Sequence, residues 1–278
     1  MKEAAVAYSG GTDSTCAAAL LLDRFERVTL LTYSRPGLFS PENSERNVRR
    51  LVRKYGGDRV THRIIPLNRL YDFVSDDLRF HYMKKYGFLN LGGCGVCKLT
   101  IHLRTLVWCL DHGITSAADG STRDLYLFPT QMEPVNREVK KMYSRFGLVY
   151  ETPVYDTALP ENSSLWDKIL RAERLSDESG SPGEKGGEST GVILYRLGLM
   201  PAPNVKGTLM DRHMQSRCYQ FILPNIYLIW NYFQRHSYDE FVERTVSLYR
   251  EKIRRFGILI EEYIEKKEKS RLFGLIDR

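Results

Sequence analysis

The hexapeptide Ser9-Gly10-Gly11-Thr12-Asp13-Ser14 constrains this chain more than any other stretch. A short apolar run, Ala4 to Tyr8, precedes it, and Ala- and Leu-rich sequence from Ser14 to Leu22 follows it directly. That order predicts a strand, a tight turn and a helix. Glycines at such a junction let successive backbone amides converge on one point, because no Cβ stands in the way. The helix start adds unpaired N–H groups and a partial positive charge, so the junction suits a phosphate. The Ser9 and Ser14 hydroxyls can donate to the same oxygens. Asp13 would repel bare phosphate, which points to Mg²⁺ between the two. A plain Gly-Gly turn with a Thr/Asp/Ser helix cap is the competing reading; the whole hexapeptide, at the head of an alternating chain, fits the phosphate pattern.

The alternation continues to about residue 155. Val28 to Tyr33, Val60 to Ile65 and Ile114 to Ala118 read as further strands, and Leu148 to Val154 as a fifth. Between them, Ser40-Pro41 reads as a cap and first helical residue, leading a helix through Asn47 to Tyr55 that stops at Gly56-Gly57. Leu67 to Tyr86 reads as one helix and Lys98 to Asp111 as another. Strands separated by helices of this length predict a parallel sheet with right-handed crossovers. Ligands of such sheets lie beyond the carboxyl ends of the strands. Ser9 to Ser14, Tyr33-Ser34 and Asp119 to Asp124 fall there.

Past residue 156 the pattern changes. Asp177 to Thr190, DESGSPGEKGGEST, is poor in apolar residues and reads as a mobile loop. Helices are expected at about Asp211 to Phe233, Ser237 to Arg255 and Leu259 to Lys269. The expected organisation is an α/β domain over 1–155 and a mostly helical region over 156–278.

Ser9 to Ser14 resembles the SGGxDS loop of the PP-loop (N-type) ATP pyrophosphatases. The resemblance implies a nucleotide α-hydrolase fold, HUP-like and Rossmannoid. It also implies ATP bound with its pyrophosphate in the loop, transfer of AMP to a substrate, and pyrophosphate release. Ser9, Gly10, Gly11, Asp13 and Ser14 carry the match, with Thr12 at the variable position. The chain lacks the Gly-Lys-Ser/Thr ending of the common NTPase loop, so γ-phosphate transfer is not indicated. Asp119-Gly120-Ser121-Thr122-Arg123-Asp124 looks like the family's Gly-x-x-x-Asp-Asp region near the ATP: Gly120 and Asp124 match, and Leu125 stands at the second acidic position.

Five cysteines, Cys16, Cys94, Cys97, Cys109 and Cys218, argue against a disulfide framework. Cys16 and Cys109 lie among apolar residues. Cys94-Gly95-Val96-Cys97 precedes the Lys98 helix; two thiols so spaced can chelate a metal or cluster, form a redox pair, or simply fill a core. A helix N-terminus favours thiolate. With Cys218 the set resembles the PP-loop tRNA thiolation enzymes, in which a CxxC and a distant third cysteine hold a [4Fe–4S] cluster with one iron open for the sulfur being transferred. Zn²⁺ would want a fourth ligand, for which His213 is placed in sequence. Cys94 and Cys97 acting as persulfide carrier and resolving thiol would need no metal.

The net charge is +7 over 278 residues. Arg46, Arg49, Arg50, Arg53 and Lys54 crowd one helix, Lys84, Lys85, Lys98, Lys140 and Lys141 add more, and Arg254 and Arg255 lie near Lys266, Lys267 and Lys269. Such clusters suit an RNA backbone, although Glu45, Glu251, Glu265 and Glu268 interleave with them as on ordinary solvated faces. Tyr219, Tyr227, Trp230, Tyr232 and Phe233 read as helix core. No signal peptide or span of about 18 apolar residues stands out, so a cytoplasmic protein is expected, with no membrane contact. The combined expectation is ATP- and Mg²⁺-dependent adenylation followed by sulfur transfer to a tRNA base. Sulfide or a sulfur-donor protein would supply the sulfur, and a homodimer stays open. A small-molecule acceptor and a non-catalytic ATP-binding module are the rival readings.

Overall fold

The computed structural model describes residues 2–87, 89, 93–123, 129, 131–157, 188–218, 231–232 and 234–276. Its strands are β1 (Glu3–Ala7), β2 (Arg27–Ser34), β3 (Leu38–Phe39), β4 (Val60–Pro66), β5 (Ser116–Asp119), β6 (Val149–Glu151) and β7 (Arg217–Cys218). Its helices are α1 (Thr12–Leu22), α2 (Glu45–Tyr55), α3 (Asn68–Asp76), α4 (Arg79–Tyr86), α5 (Gly93–His112), α6 (Glu133–Arg145), α7 (Thr190–Arg196), α8 (Leu209–Arg212), α9 (Tyr238–Lys266) and α10 (Arg271–Leu275).

The main sheet has the order β4-β2-β1-β5-β6, with every neighbouring pair parallel. Burial explains the strand sequences. In β2 all six residues between Arg27 and Ser34 are buried, so a continuous apolar run serves both faces. Alternate residues then divide between two cores. Ala4, Val6, Val28, Leu30 and Ala118 face α1, α2 and α7. Ala5, Leu31, Tyr33 and Ala117 face α3, α5, α6 and α9. The result is three layers, helix–sheet–helix. In α1, Ala17, Ala18 and Ala19 are fully buried, and their small side chains allow the helix to lie close to the sheet.

The connection direction reverses at β1: β2 and β4 lie to one side, β5 and β6 to the other. Such a reversal marks the carboxyl-edge crevice in which sheets of this kind take their ligands, and here the loops after β1 and β5 meet across it. The expected parallel α/β architecture and helical C-terminal region are therefore present.

Several elements differ from expectation. The helix foreseen from Leu67 to Tyr86 is broken into α3 and α4, because Asp77 leaves the helix at ψ 116° and Leu78 is left-handed at φ +55°. Arg255 of α9 grips the Asp77 carboxylate with two bonds, at 2.7 and 2.9 Å, and pins the break. Ser40 is left-handed at φ +54° and makes no side-chain cap; Pro41–Ser44 instead form a 3₁₀ turn ahead of α2. The cysteine pair lies inside the first turns of α5, which begins at Gly93. Where a helix was expected across Asp211 to Phe233, α8 ends at Arg212 and Cys218 belongs to β7, paired antiparallel with β3. The expected helices at Ser237–Arg255 and Leu259–Lys269 are one, α9, running through Gly257. Gly257 is small because Arg145 of α6 packs against it, where a Cβ would strike the guanidinium. Asp124, Leu125, Tyr219, Tyr227, Trp230, Phe233 and residues 177–187 of the expected mobile loop lie outside the described residues.

Candidate active site

The Ser9–Ser14 turn sits at the β1 end of the crevice and is organised by its own hydroxyls. Ser14 Oγ accepts from the Ser9 amide at 3.3 Å, lies 3.1 Å from Ser9 Oγ and donates to the Gly11 carbonyl at 3.1 Å. Ser9 Oγ accepts from the Gly11 amide at 3.3 Å. Gly10 is at φ +87°, a conformation that disfavours other residues, and a Cβ there would lie 2.5 Å from Ser44 Cα. Asn47 of α2 donates to the Gly10 carbonyl at 2.7 Å and fixes the turn from outside. Gly120, just after β5, presses on the first turn of α1: a Cβ would stand 2.5 Å from the Ser14 nitrogen.

The C-terminal half lies across this turn. Lys206 pairs with Asp13 at 3.0 Å, and Thr190 donates to the same carboxylate oxygen at 2.7 Å. Asp211 accepts from the Thr12 amide at 3.0 Å and from the Thr12 hydroxyl at 2.7 Å. Gln215 lies over Gly11, and the Ser216 amide donates to the Ser9 carbonyl at 3.4 Å. Asp13 thus faces a cation and a hydroxyl from the second half of the chain.

At the β5 end, Asp119 is buried and paired with Lys98 of α5. Burial alone would push this carboxyl up, but the Lys98 ammonium, with help from His102 and the Ser121 amide, holds it down at about 2. Lys98 also donates to Ser121 Oγ at 2.6 Å. His102, one helical turn along α5, is wholly buried, and burial with the nearby Lys98 charge lowers it to about 3. Lys98 follows Cys97 directly, so this network ties the cysteine turn to the strand end that carries Gly120.

Beyond β2, Arg35 collects the thiols. Its Nε donates to Cys97 Sγ at 2.9 Å, and its Nη2 reaches Cys218 Sγ at 3.7 Å. The guanidinium stacks on Tyr71 at 4.5 Å. Cys94 lies one turn before Cys97 on α5, and both approach the buried Tyr249 of α9 closely enough to perturb its hydroxyl. Cysteines remote in sequence therefore meet at the junction of β2, α5 and β7. The thiolate expected at the start of this helix is not favoured at Cys97: burial raises that thiol, and the Arg35 charge offsets it only in part. The donor set suits an iron–sulfur centre in chemistry. As they stand, no three His, Cys, Asp or Glu side chains among the described residues are spaced to hold an ion, so a centre would require Arg35 to withdraw from the sulfurs.

Of the residues singled out in sequence, Ser9 to Ser14 and Gly120 come together at the crevice, and Cys97 and Cys218 meet at Arg35, with Cys94 one turn before Cys97 on α5. Asp124 lies outside the described residues. Tyr33 turns its side chain into the core, where its hydroxyl meets Thr105 Oγ1 at 2.7 Å. Ser34 contributes its carbonyl to the Leu67 amide at 2.8 Å. His213 bonds Arg217 at 2.8 Å. Asp119 was read as the start of the segment after the fourth strand and Lys98 as one of the basic residues, while Arg35 was signalled only by adjacency to Ser34. Lys206, Thr190 and Asp211 carry no sequence signal, since only the fold brings them to the turn.

The class defined by fold and site is a parallel α/β protein with a glycine-rich strand-to-helix turn at its topological switch point. No family model matches this chain. No curated protein matches it either. Distant likenesses exist among solved structures. One is described as a predicted subunit of tRNA methyltransferase from Methanocaldococcus jannaschii, at 18% identity over 79% of this chain and 97% of that one, TM-score 0.38. NMN synthetase from Francisella tularensis is similar at 10% identity over 91% and 86%, TM-score 0.36. The U34-tRNA thiolase NcsA from Methanococcus maripaludis, with its [4Fe-4S] cluster, is similar at 14% identity over 94% and 73%, TM-score 0.34.

Proposed function

We propose that this chain is a PP-loop adenylating enzyme that activates an oxygen of its substrate with ATP and then exchanges that oxygen for sulfur. The observation that carries the reading is the Ser9–Ser14 turn at the β1–α1 junction, with Gly120 of the neighbouring strand end pressed against it. A triphosphate would be held there by its β and γ groups on the amides of the turn, among them that of Thr12, which now meets Asp211. The substrate oxygen attacks the α-phosphorus, a new P–O bond forms, and the bond to pyrophosphate breaks. Pyrophosphate leaves on the loop amides, with Mg²⁺ neutralising its charge and Asp13 the residue to hold the ion. Lys206 stands beside Asp13 and is placed to share the phosphate charge.

Sulfur transfer is supported by the meeting of Cys97 and Cys218 at Arg35, with Cys94 one helical turn before Cys97. A [4Fe–4S] cluster on these three would supply an iron with an open position for sulfide. The sulfur forms a C–S bond as the C–O bond to AMP breaks, with no net change of oxidation state. A tRNA base is the proposed acceptor, on the net charge of +7 and the basic helix faces.

A second reading keeps the adenylation and needs no metal, and it rests on the one-turn spacing of Cys94 and Cys97 on α5. There a persulfide donor protein would load Cys94, its outer sulfur would displace AMP from the substrate carbon, Cys97 would cleave the S–S bond to release the thiolated product, and an external thiol would reduce the resulting Cys94–Cys97 disulfide. Two measurements test the proposal. Asp13→Asn should abolish most pyrophosphate release in a turnover assay with a tRNA pool, and full release in the variant would refute the loop assignment. Iron analysis and a visible spectrum of oxygen-free protein should show a cluster; colourless, iron-free but active protein would leave the persulfide scheme.

A further inference from the structure

Residues 206–218 touch the phosphate turn along their length and end at the thiols. Lys206 is on Asp13, Asp211 on Thr12, Gln215 over Gly11 and Ser216 on the Ser9 carbonyl, while Cys218 lies in β7 beside Arg35. The chemistry of Asp211 is the informative part. Its carboxylate takes the Thr12 amide and hydroxyl with one oxygen and the Gly207 amide with the other at 3.0 Å. It is a buried anion at the start of α1, on an N–H that a bound phosphate would use. A phosphate oxygen and a carboxylate are acceptors of like charge, so the two cannot share that donor.

Beyond Asp211 the strap is anchored at Met214, which is buried and meets the Arg50 guanidinium at 2.9 Å. Past that anchor the hold is light: the Ser216–Ser9 bond is long at 3.4 Å, and β7 is a two-residue strand against Leu38 and Phe39. Displacing Asp211 therefore loosens the segment that positions Cys218.

We infer that Asp211 is a resident stand-in for phosphate and that residues 206–218 are a strap coupling occupancy of the turn to exposure of Cys218. With the turn empty, Asp211 holds the strap down and Cys218 rests against Arg35. When pyrophosphate or a nucleotide takes the Thr12 amide, Asp211 leaves, the strap lifts from Asp211 onward while Lys206 stays with the phosphate, and Cys218, half-buried at rest, is released from Arg35. The thiol site thus opens fully only when the nucleotide site is loaded. This inference rests on Ser9–Ser14 being a phosphate turn.

The test uses the full chain with inorganic pyrophosphate and Mg²⁺, with binding first established by calorimetry. Hydrogen exchange by mass spectrometry and iodoacetamide labelling of metal-free reduced protein then report on the strap and on Cys218. The expected result is slower exchange over 9–14, faster exchange over 206–218, and Cys218 alkylation raised roughly fivefold or more, with buried Cys16 and Cys109 unchanged. Asp211→Asn keeps the shape but removes the competing charge; pyrophosphate should bind it roughly threefold to tenfold more tightly, with Cys218 already labelled fast before ligand is added. If pyrophosphate binds while the strap and Cys218 are unchanged or more protected, the coupling is overturned and the phosphate turn stands. If neither pyrophosphate nor ATP binds, the phosphate-turn reading falls and takes the inference with it.

Discussion

Arg35 donates through Nε to the Cys97 sulfur at 2.9 Å. The same guanidinium reaches Cys218 and gives Nη1 to the Pro36 carbonyl at 2.7 Å, so one buried cation joins a strand end, a helix start and the β3–β7 ladder. A buried guanidinium is tolerated only while such partners satisfy it. Arg35→Met keeps much of the volume and removes the donors. Hydrogen bonds involving charged groups contribute about 1.5–3 kcal/mol, so urea unfolding should show a loss of about that size, with an unchanged m-value. Cys218 should also react faster with iodoacetamide in the variant. Unaltered stability and labelling together would show that the guanidinium holds nothing in place.

The glycines at the site divide by what surrounds them. Gly120→Ala would put a Cβ 2.5 Å from the Ser14 nitrogen, a backbone atom that cannot swing away. The turn must shift, at a cost of about 1–3 kcal/mol, and nucleotide affinity should fall by an order of magnitude or more. Gly113→Ala is the control. That glycine has φ +65° with open space around it, so only backbone strain of about 1–2 kcal/mol is expected. Its nucleotide affinity should match wild type in an equilibrium binding assay. Equal affinities for the two variants would dissociate Gly120 from the ligand site.

Lys206 and Asp13 meet at 3.0 Å with side chains 16% and 25% exposed, enough burial for the pair to be coupled beyond a surface ion pair. If Lys206 also shares the phosphate charge, removing it harms binding more than stability. Lys206→Met should weaken ATP binding roughly tenfold, and the combination with Asp13→Asn should be far from additive. A double-mutant cycle read in ATP affinity checks this; additive effects would separate the two residues.

The sheet was legible because its strands are largely apolar runs bounded by glycine turns, and the strand–turn–helix at Ser9–Ser14 because three constraints (strand end, glycine pair, helix start) coincide there. Where local pattern and tertiary contact disagreed, the contact prevailed. Asp77 reads as mid-helix in sequence, yet its two bonds to Arg255 stabilise a break. Gly257 reads as a helix end, but it admits Arg145 within a continuous helix. Cys218 lies in sequence that reads as helix and is instead drawn out as β7 by pairing with Leu38. Lys206 and Asp211 were invisible for a different reason: they serve a turn at the other end of the chain, and no local period records that.

His102 makes the clearest pH prediction. Its side chain is fully buried, with Nδ1 3.3 Å from the Tyr143 hydroxyl, the Tyr150 ring 5.0 Å away, and the Lys98 ammonium and Asp119 carboxylate alongside. Burial and Lys98 lower its folded-state value to about 3 from an ordinary 6.5. As pH falls through 6.5 the unfolded chain takes up this proton and the folded chain does not. Stability from this group is therefore complete above 6.5 and is lost as pH falls toward 3, at up to about 1.4 kcal/mol per pH unit. Asp119 acts in an adjoining lower window: its folded value of about 2 lies below the ordinary 3.8, so its contribution is lost as pH falls from 3.8 through 2. Between pH 6 and 5 most carboxylates stay ionised in both states, so the slope comes from the histidines that burial lowers, His102 and the partly buried His62, and a His102 variant isolates the first. His102→Asn retains a polar group for Tyr143 but cannot titrate. Urea unfolding at pH 6 and pH 5 should show wild type losing about 1 kcal/mol more than the variant over that step. An equal loss in both would place the responsible proton elsewhere, and would mean that the Lys98–Asp119 network tolerates a charged His102.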